Sequence, residues 1–252
     1  MLDYDAEAAR YDATRGGLPR AREAAGAVGR LLPASTRTLV DVACGTGFVT
    51  SEIGGVRAVG IDLAAGMLRI AAARLGGRVV RADARALPFA DGSVDAVTMI
   101  WLVHLLDDPG PVLAEAVRVV RPGGVLVLTV NKNDGHFEMD SDLAASLARA
   151  RPDRARHVEF DDFATVTGLL RGLELVGETT FSGVGQGVAP AQWRRWLAAG
   201  TIRWMRTMTA DQAAELDRSL AALPHQEVAR ADPRYRLVAF GQPLRDRSHP
   251  TG

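Results

Sequence analysis

Short apolar segments alternate with Ala- and Leu-rich segments along this chain, and this alternation constrains the fold more than any other feature. The apolar segments are nearly continuous runs, such as residues 94–101 (VDAVTMIW) and 125–130 (VLVLTV), without a polar face. Strands that are apolar on both faces are typical of parallel sheets with helices packed on each side. We therefore expect a doubly wound α/β fold around a mostly parallel sheet.

Seven segments are predicted to form that sheet, with helices between them. The strands are expected at residues 38–43, 57–61, 78–82, 94–101, 125–130, 173–181 and 235–240. The helices are expected at residues 3–14, 18–31, 48–53, 64–75, 111–120 and 162–170, with two or three more between 190 and 223. Residues 131–158, rich in Asn, Asp, Gly and Arg, show no regular pattern.

The charge balance and the cysteine content argue against several classes of protein. The 252 residues include 30 Lys and Arg and 30 Asp and Glu, which leaves no positive excess for nucleic acid or an acidic membrane. No apolar run approaches the roughly 20 residues of a membrane helix, and the acidic N-terminal stretch does not resemble an export signal. The single cysteine, Cys44, permits neither an intrachain disulfide nor a cysteine metal cluster. We expect a cytoplasmic monomer or homodimer without a metal, a nucleic-acid partner or a membrane contact.

The segment DVACGTG, residues 41–47, follows the first predicted strand, where proteins of this architecture bind their ligands. It differs by one residue from each of two fingerprints. The dinucleotide fingerprint G-x-G-x-x-G is met by Gly45 and Gly47, but Thr50 stands in place of the third glycine. The fingerprint acid-x-G-x-G-x-G of S-adenosylmethionine enzymes is met by Asp41, Gly45 and Gly47, but Ala43 replaces its first glycine. The turn by itself leaves both cofactors open.

Three features outside the turn favour S-adenosylmethionine over a nicotinamide dinucleotide. Asp83 ends the third predicted strand, where a carboxylate faces the amino edge of an adenine rather than a second nucleotide. The tetrapeptide RPGG, residues 121–124, ends a helix and turns into the fifth strand, and a helical preamble precedes the first strand. Asp62 ends the second strand and suits the ribose of either cofactor, so it does not discriminate.

Four segments, in this order, carry a resemblance to a known family. They are DVACGTG, GIDLAAGMLRIA, ADARALPFADGSVDAV and LAEAVRVVRPGGVLVL. They resemble the successive motifs of class I S-adenosylmethionine-dependent methyltransferases, above all the type 11, UbiE-like branch that acts on small molecules. The resemblance covers residues 1–181 and weakens afterwards. It implies a Rossmann-like fold with a seven-stranded sheet and helices on both faces, S-adenosylmethionine as cofactor, S-adenosylhomocysteine as its product, and a small-molecule acceptor.

The resemblance also implies how a single domain, residues 1–243, is organised. An N-terminal helical lid, residues 1–33, contains EAARYDATRGG, which resembles the segment that closes over the donor in many of these enzymes. Two segments, 131–160 and 182–230, are expected to cap the acceptor, the second as a helical insertion before the last strand. Residues 244–252 are expected to form a flexible tail.

Each motif implies residues that contact the donor. The residues of the turn are expected at its methionine and ribose, those after the second and third strands at its ribose and adenine, and those ending the fourth strand at its sulfur. The residues expected to bind it are Tyr11, Arg15, Asp41, Ala43, Gly45, Gly47, Asp62, Leu63, Met67, Asp83, Ala84, Ile100 and Trp101. Arg15 is expected to pair with the methionine carboxylate.

Ala43 is the one departure from the family's motif within the turn. A Cβ atom disfavours a positive φ, which glycine adopts freely. We therefore expect a negative φ at Ala43, with the conformational freedom of the turn supplied by Gly45 and Gly47.

Methyl transfer from a sulfonium requires mainly that the acceptor atom be held against the methyl group with water excluded. A base is needed only where that atom carries a proton of high pKa. His104, just after the fourth strand, is the best-placed candidate base, and packing within its loop is the alternative. The acceptor atom is left open between oxygen, nitrogen and carbon, in a bacterial secondary metabolite.

The stretch APAQWRRWLAAGTIRWMRTM, residues 189–208, is rich in aromatic residues and methionine. It predicts an aromatic acceptor pocket formed by Trp193 and Trp196. Further substrate contacts are expected from Trp101, His104 and His136. The alternative for Trp193 and Trp196 is the buried stripe of an amphipathic helix.

Two other functions stay open. A protein of the same fold can bind S-adenosylmethionine without transferring the methyl group, using it as a fixed charge or as a regulatory ligand. A nicotinamide-dependent oxidoreductase is opposed by Thr50 and Asp83. An RNA or protein acceptor is disfavoured by the neutral net charge.

Overall fold

The computed structural model describes residues 3–137, 139–150 and 160–244. The strands within them are β1 (Thr38–Val42), β2 (Arg57–Asp62), β3 (Val79–Arg81), β4 (Val94–Met99), β5 (Val120–Val130), β6 (Glu174–Ser182) and β7 (Arg234–Gly241). The α-helices are α1 (Tyr4–Thr14), α2 (Gly17–Leu31), α3 (Phe48–Glu52), α4 (Ala65–Arg74), α5 (Gly110–Val119), α6 (Asp142–Ala150), α7 (Phe163–Leu169), α8 (Pro190–Ala198) and α9 (Ala210–Ala221). Three 3₁₀ helices lie at Val103–Leu105, Lys132–His136 and Arg203–Thr207.

The strands form a single seven-stranded sheet with the order β3-β2-β1-β4-β5-β7-β6. Neighbouring strands from β3 to β5 are parallel, and β7 runs antiparallel to both β5 and β6. The predicted doubly wound, mostly parallel sheet is therefore confirmed. The strand order reverses between β1 and β4, so the crevice that binds ligands in such folds lies at the carboxyl ends of these two strands.

The sheet is apolar on both faces because successive side chains of its strands point to opposite sides. In β1, Val40 packs in one apolar cluster and Leu39 in the other. In β5, Leu126 and Val127 divide in the same way. Each cluster is covered by helices, which explains why these strands read as continuous apolar runs.

Two segments differ from the prediction. RPGG does not form a turn before the fifth strand but a bulge within it, since β5 begins at Val120 and its register against β4 shifts between Val94 and Ala96. Residues 131–158 were expected to be irregular, but α6 lies there and buries Leu143 and Leu147. A helix of nine residues presents only two turns of apolar periodicity, which is too short to stand out among polar neighbours.

The predicted helical insertion before the last strand is confirmed by α8 and α9. Together with α6 they enclose a third apolar cluster, separate from the sheet, which includes Leu147, Trp193, Leu216 and Leu220. Among the described helices, none combines the length and apolar composition that crossing a bilayer requires. Of the predicted flexible tail, only Leu244 lies within the described residues.

Candidate functional site

The turn after β1 has three residues in the left-handed region of backbone space. Their φ angles are +59° at Ala43, +56° at Gly45 and +72° at Gly47. The expected negative φ at Ala43 is therefore wrong. The Cys44 N–H donates to the Ile61 carbonyl of β2 at 2.9 Å, and this bond ties the backbone to β2 directly after Ala43. A non-glycine residue in this conformation costs roughly 1–2 kcal/mol.

The two glycines of the turn serve different purposes. A Cβ atom at Gly45 would meet no heavy atom within 4 Å, so the backbone there borders open space. A Cβ atom at Gly47 would lie 3.1 Å from the Ala71 Cβ atom of α4. Gly45 therefore offers bare backbone to a ligand, whereas Gly47 allows the turn to pack against a helix.

Asp41 supports the turn through hydrogen bonds to two threonine side chains. Its carboxylate is buried and accepts hydrogen bonds from the hydroxyls of Thr50 and Thr98, the latter at 2.7 Å. Burial raises the pKa of Asp41 to about 6, although both hydroxyls lower it. Thr50, which departs from the dinucleotide fingerprint, thus anchors α3 to β1.

Asp62 lies at the end of β2 and joins the turn to the start of α4. Its two carboxylate oxygens accept from the Gly45 N–H at 2.8 Å and the Ala64 N–H at 2.9 Å. Each oxygen has a second acceptor position, which is what a pair of ribose hydroxyls requires.

The residues expected around the adenine lie at the ends of β2 and β3 but do not line the cleft described below. Leu63 is exposed, Met67 is buried and Ala84 packs against the sheet core. Asp83 forms a forked ion pair with Arg85, with an N–O distance of 2.6 Å, which lowers the pKa of Asp83 to about 2. In this arrangement both carboxylate oxygens of Asp83 accept from Arg85, and its contact with an adenine stays a prediction.

Helix α1 is closed down on the turn. Asp12 accepts from the Thr46 hydroxyl at 2.6 Å and from the Arg74 guanidinium at 2.6 Å. Asp5, the second residue of the helix, accepts from the N–H of Gly66 in α4. The predicted lid segment is therefore bonded to the turn and α4 through Asp12 and to α4 through Asp5.

A cleft of about 70 Å³ separates α1 and α2 from the carboxyl ends of β1 and β4. We call it the donor cleft, after the ligand that the sequence predicts for it. Seven of the predicted donor contacts line it, namely Tyr11, Arg15, Asp41, Ala43, Gly45, Ile100 and Trp101. Its volume is well below the 300–1,000 Å³ typical of small-molecule sites. The cleft in this structure is therefore too small for a complete nucleoside.

Arg20 also lines the donor cleft, although it was not among the donor contacts predicted from the sequence. It is 8% exposed, donates to the Arg15 carbonyl at 3.0 Å, and has a buried Nε without a hydrogen-bond partner. Burial lowers the pKa of Arg20. The signal that was available is its place in the lid segment, five residues after Arg15.

A second and larger cavity, about 800 Å³, lies between the sheet and the helices of the cap. We call it the acceptor cavity. Its aromatic and charged lining consists of Arg15, His104, Lys132, His136, Phe137, Phe160, Asp161, Trp193, Trp196, Trp204 and Tyr235. Arg15 lines both cavities, and Trp101 of the donor cleft packs edge-on against Tyr235 with ring centroids 5.8 Å apart.

Four of the five predicted substrate contacts line the acceptor cavity. Trp193 and Trp196 line the cavity and also belong to the third apolar cluster. The two alternatives for these residues, an aromatic pocket and a buried helical stripe, therefore describe the same side chains. His136 packs edge-on against Trp193 with ring centroids 5.4 Å apart. Trp101 lies on the donor side instead.

His104 is half-buried, and its buried Nδ1 has no hydrogen-bond partner among the described residues. Burial lowers the pKa of His104 to about 3, helped by the nearby charges of Lys132 and Arg20. A group with this pKa accepts a proton poorly at neutral pH. The geometry favours packing over base catalysis for His104, whose catalytic role stays a prediction.

Lys132, the only lysine among the 252 residues, was not predicted as a site residue. It follows β5 directly and lines the acceptor cavity. Burial lowers the pKa of Lys132 to about 8, and the charges of Arg20 and Arg15 lower it further. Its position at the carboxyl end of a central strand was the signal that could have identified it.

Comparison with known proteins finds similarity over the part of the chain that contains the glycine turn. Residues 40–128 match a family model described as a methyltransferase domain. A demethylmenaquinone methyltransferase of Thermobifida fusca (strain YX) is 36% identical over 136 residues, which cover 50% of this chain and 58% of that protein. The chain spans less than two thirds of the length of the curated relatives that it matches first.

Two solved structures of low sequence identity share the fold. The cyclase SpnF has a TM-score of 0.58 at 19% identity, over 96% of this chain and 94% of that one. Phosphoethanolamine N-methyltransferase 2 of Haemonchus contortus, in complex with phosphomonomethylethanolamine and S-adenosylhomocysteine, has a TM-score of 0.54 at 16% identity. That match covers 95% of this chain and 58% of the other, and at such identity it concerns the fold alone.

Proposed function

We propose that this chain is an enzyme that transfers a methyl group from S-adenosylmethionine to a small molecule, and the match of residues 40–128 to a methyltransferase domain supports this. The observation that carries the proposal is the meeting of the two cavities. Arg15 borders both of them, and the contact between Trp101 and Tyr235 joins their walls. A donor in one cavity and an acceptor in the other would be neighbours at the carboxyl ends of β4 and β5.

Residues of the donor cleft, together with Asp62 and Asp83 outside its lining, fit S-adenosylmethionine at each end. Gly45 borders open space with bare backbone, and Asp62 beside it retains acceptor positions for ribose hydroxyls. At the other end, Arg15 and the unpartnered Nε of buried Arg20 offer positive charge to a carboxylate. Asp83 suits the adenine amino group once Arg85 releases it.

The sulfonium supplies an activated methyl group when it is bound, and the remaining work falls to the chain's own residues. Helix α1 excludes water through the bonds of Asp12 and Asp5. Trp101 forms the wall at the end of β4, and its backbone N–H is held by the Thr129 hydroxyl at 2.8 Å. The tryptophans of the acceptor cavity position the incoming molecule, so proximity rather than base catalysis carries the rate.

The cavity and the relatives support a finer proposal for the acceptor. A cavity of about 800 Å³ with aromatic walls suits a bicyclic or larger molecule. The relatives named demethylmenaquinone methyltransferase support an aromatic, quinone-like ring. We place the substrate among bacterial secondary metabolites, methylated at oxygen, nitrogen or carbon, and the protein in the cytoplasm as a monomer or homodimer.

The experiment is to incubate the purified chain with S-adenosylmethionine and a panel of aromatic acceptors, and to measure S-adenosylhomocysteine and product mass together. Equal amounts of S-adenosylhomocysteine and of a product heavier by one methyl group support the proposal. A product of unchanged mass formed without consumption of the donor would instead assign the non-methylating role. The matched control is Asp62→Ala, which removes the predicted ribose contact.

A further inference from the structure

The acceptor cavity carries a positive charge that the proposed function does not explain. We propose that it binds an aromatic molecule bearing an anionic oxygen, and that Lys132 is the residue that binds this oxygen. The role of this ligand as a methyl acceptor rests on the proposed function, whereas its binding to Lys132 does not.

The backbone around Lys132 is fixed, so its side chain leaves the sheet from a defined point. The Lys132 N–H donates to the Asp161 carboxylate at 2.8 Å, and the Asn131 N–H donates to the Asp161 carbonyl at 2.8 Å. The Asn131 amide oxygen accepts from the Phe163 N–H at 3.0 Å, which ties this segment to the start of α7. A site built on such a framework is held in place before a ligand arrives.

The charge of Lys132 is not balanced by the described residues that face it. Among the described residues, none forms an ion pair with the Lys132 ammonium group, and the attraction that favours its charge comes from Asp161. The Asp161 carboxylate is itself 1% exposed and engaged by the backbone, and burial raises its pKa. A half-buried cation that has no carboxylate partner among the described residues is partly desolvated, and an incoming anion relieves that cost.

Among the other described titratable groups around the cavity, Asp232 contributes negative charge near His136 and Tyr235, whereas the arginines and histidines add positive charge or none. Arg15 and Arg20 both oppose protonation of Lys132. Burial lowers the pKa of His104 to about 3 and that of His136 to about 4, so both rings are neutral near pH 7. Burial raises the pKa of the Tyr235 phenol, so it stays protonated as a hydrogen-bond donor. A cationic ligand would therefore be repelled, and an anion attracted.

The uncharged lining selects for a flat ring. Trp193, Trp196 and Trp204 lie along one side of the cavity, with Phe160 and Tyr235 also in its lining. Trp193 and Trp196 stand edge to face with ring centroids 5.2 Å apart. Aromatic side chains arranged in this way favour the faces and edges of another ring. The buried Trp193 Nε1 has no hydrogen-bond partner and adds a donor for an oxygen.

The uniqueness of Lys132 gives a direct measurement. Protein grown on [6-¹³C]lysine contains a single labelled side chain, whose Cε resonance reports its own titration. The probes are 2-naphthoate and 2-naphthamide, which match in size and differ in charge. We expect 2-naphthoate to raise the pKa of Lys132 by about one unit, because an adjacent anion stabilises the ammonium. The amide is expected to leave that pKa unchanged or to lower it.

Binding of both probes is followed in parallel by quenching of tryptophan fluorescence. Lys132→Met should weaken 2-naphthoate binding about tenfold and leave 2-naphthamide binding unchanged, whereas Lys132→Arg should retain both. Arg206→Met, an exposed cation of the same cap, is the matched control and should change neither. The inference is overturned if wild type and Lys132→Met bind 2-naphthoate with equal affinity, or if 2-naphthoate leaves the pKa of Lys132 unchanged.

The two proposals fail separately. If 2-naphthoate binds through Lys132 but no acceptor yields S-adenosylhomocysteine, the anion site stands and methyl transfer falls. If anionic aromatic compounds are methylated at equal rates and with equal affinity by wild type and Lys132→Met, methyl transfer stands and the anion site falls.

Discussion

The guanidinium carbon of Arg20 lies 3.5 Å from the centroid of the Trp101 ring, where the donor cleft and the acceptor cavity meet. Trp101 has a left-handed φ of +59° and packs edge-on against Phe181 and Tyr235. Stacking on an aromatic face suits a planar, weakly hydrated guanidinium. The pair therefore holds a buried cation beside the place expected for the donor's carboxylate.

Arg20→Met should reduce the affinity for S-adenosylhomocysteine about tenfold, because a charge-assisted hydrogen bond to the carboxylate is lost. The melting temperature should change little, since removal of a desolvated charge offsets the lost stacking. Isothermal titration calorimetry measures the affinity. Arg22→Met, an exposed arginine on the same helix, is the control. Equal affinities for wild type and Arg20→Met would contradict this role.

Thr50→Val should destabilise the protein by about 1–3 kcal/mol at pH 8, because the buried Asp41 carboxylate loses a donor. The bond from Thr50 lowers the pKa of Asp41, so its deletion raises that pKa beyond its native value of about 6. The loss of stability should therefore be full above the raised pKa of the variant, where Asp41 is ionised in both proteins, shrink as the pH falls towards 6, and be lost below it. Urea unfolding at pH 5 and pH 8 tests this, with Thr50→Ser as control. The same loss at both pH values would be inconsistent with it.

Ala43→Gly should raise the free energy of unfolding by about 1 kcal/mol, since glycine adopts the φ of +59° without the strain of a Cβ atom. Ala73→Gly, on the exposed side of α4, should have the opposite sign by a similar amount. Thermal unfolding of the two variants gives the comparison. Destabilisation by Ala43→Gly would mean that the methyl group of Ala43 packs more favourably than its backbone is strained.

Asp12→Asn should accelerate the association of S-adenosylhomocysteine about fivefold, which corresponds to roughly 1 kcal/mol of weakened closure. Asp12 holds α1 to Thr46 and Arg74, so the lid would open more often. Stopped-flow tryptophan fluorescence measures the rate, and the exposed Glu23→Gln is the control. Unchanged association would show that α1 does not limit entry.

The sheet was predictable because burial on both faces leaves a local signature. The strands β1, β2 and β4 follow from continuous apolar runs, and their ends differ from expectation by no more than two residues. The start of β5 was missed because the bulge at residues 121–124 carries arginine, proline and two glycines. Such a bulge interrupts the apolar pattern while the strand continues.

The site was predictable only where its chemistry is local. The turn and Asp62 follow from short motifs, and the structure places Asp62 on the Gly45 N–H. The φ of Ala43 was predicted wrongly because the residue type was weighed without the bond from Cys44 to β2. Lys132 was missed because its altered pKa depends on Arg15, Arg20 and the cap, which are distant in sequence.

The central claim is that the turn after β1 and the carboxylate at the end of β2 bind S-adenosylmethionine. Calorimetric titration of S-adenosylhomocysteine into wild type and Asp62→Ala tests it most directly. We expect one site per chain in the wild type and a loss of about 1–3 kcal/mol of binding free energy in Asp62→Ala. Equal binding by both proteins, or tighter binding of a nicotinamide dinucleotide by the wild type, would contradict it.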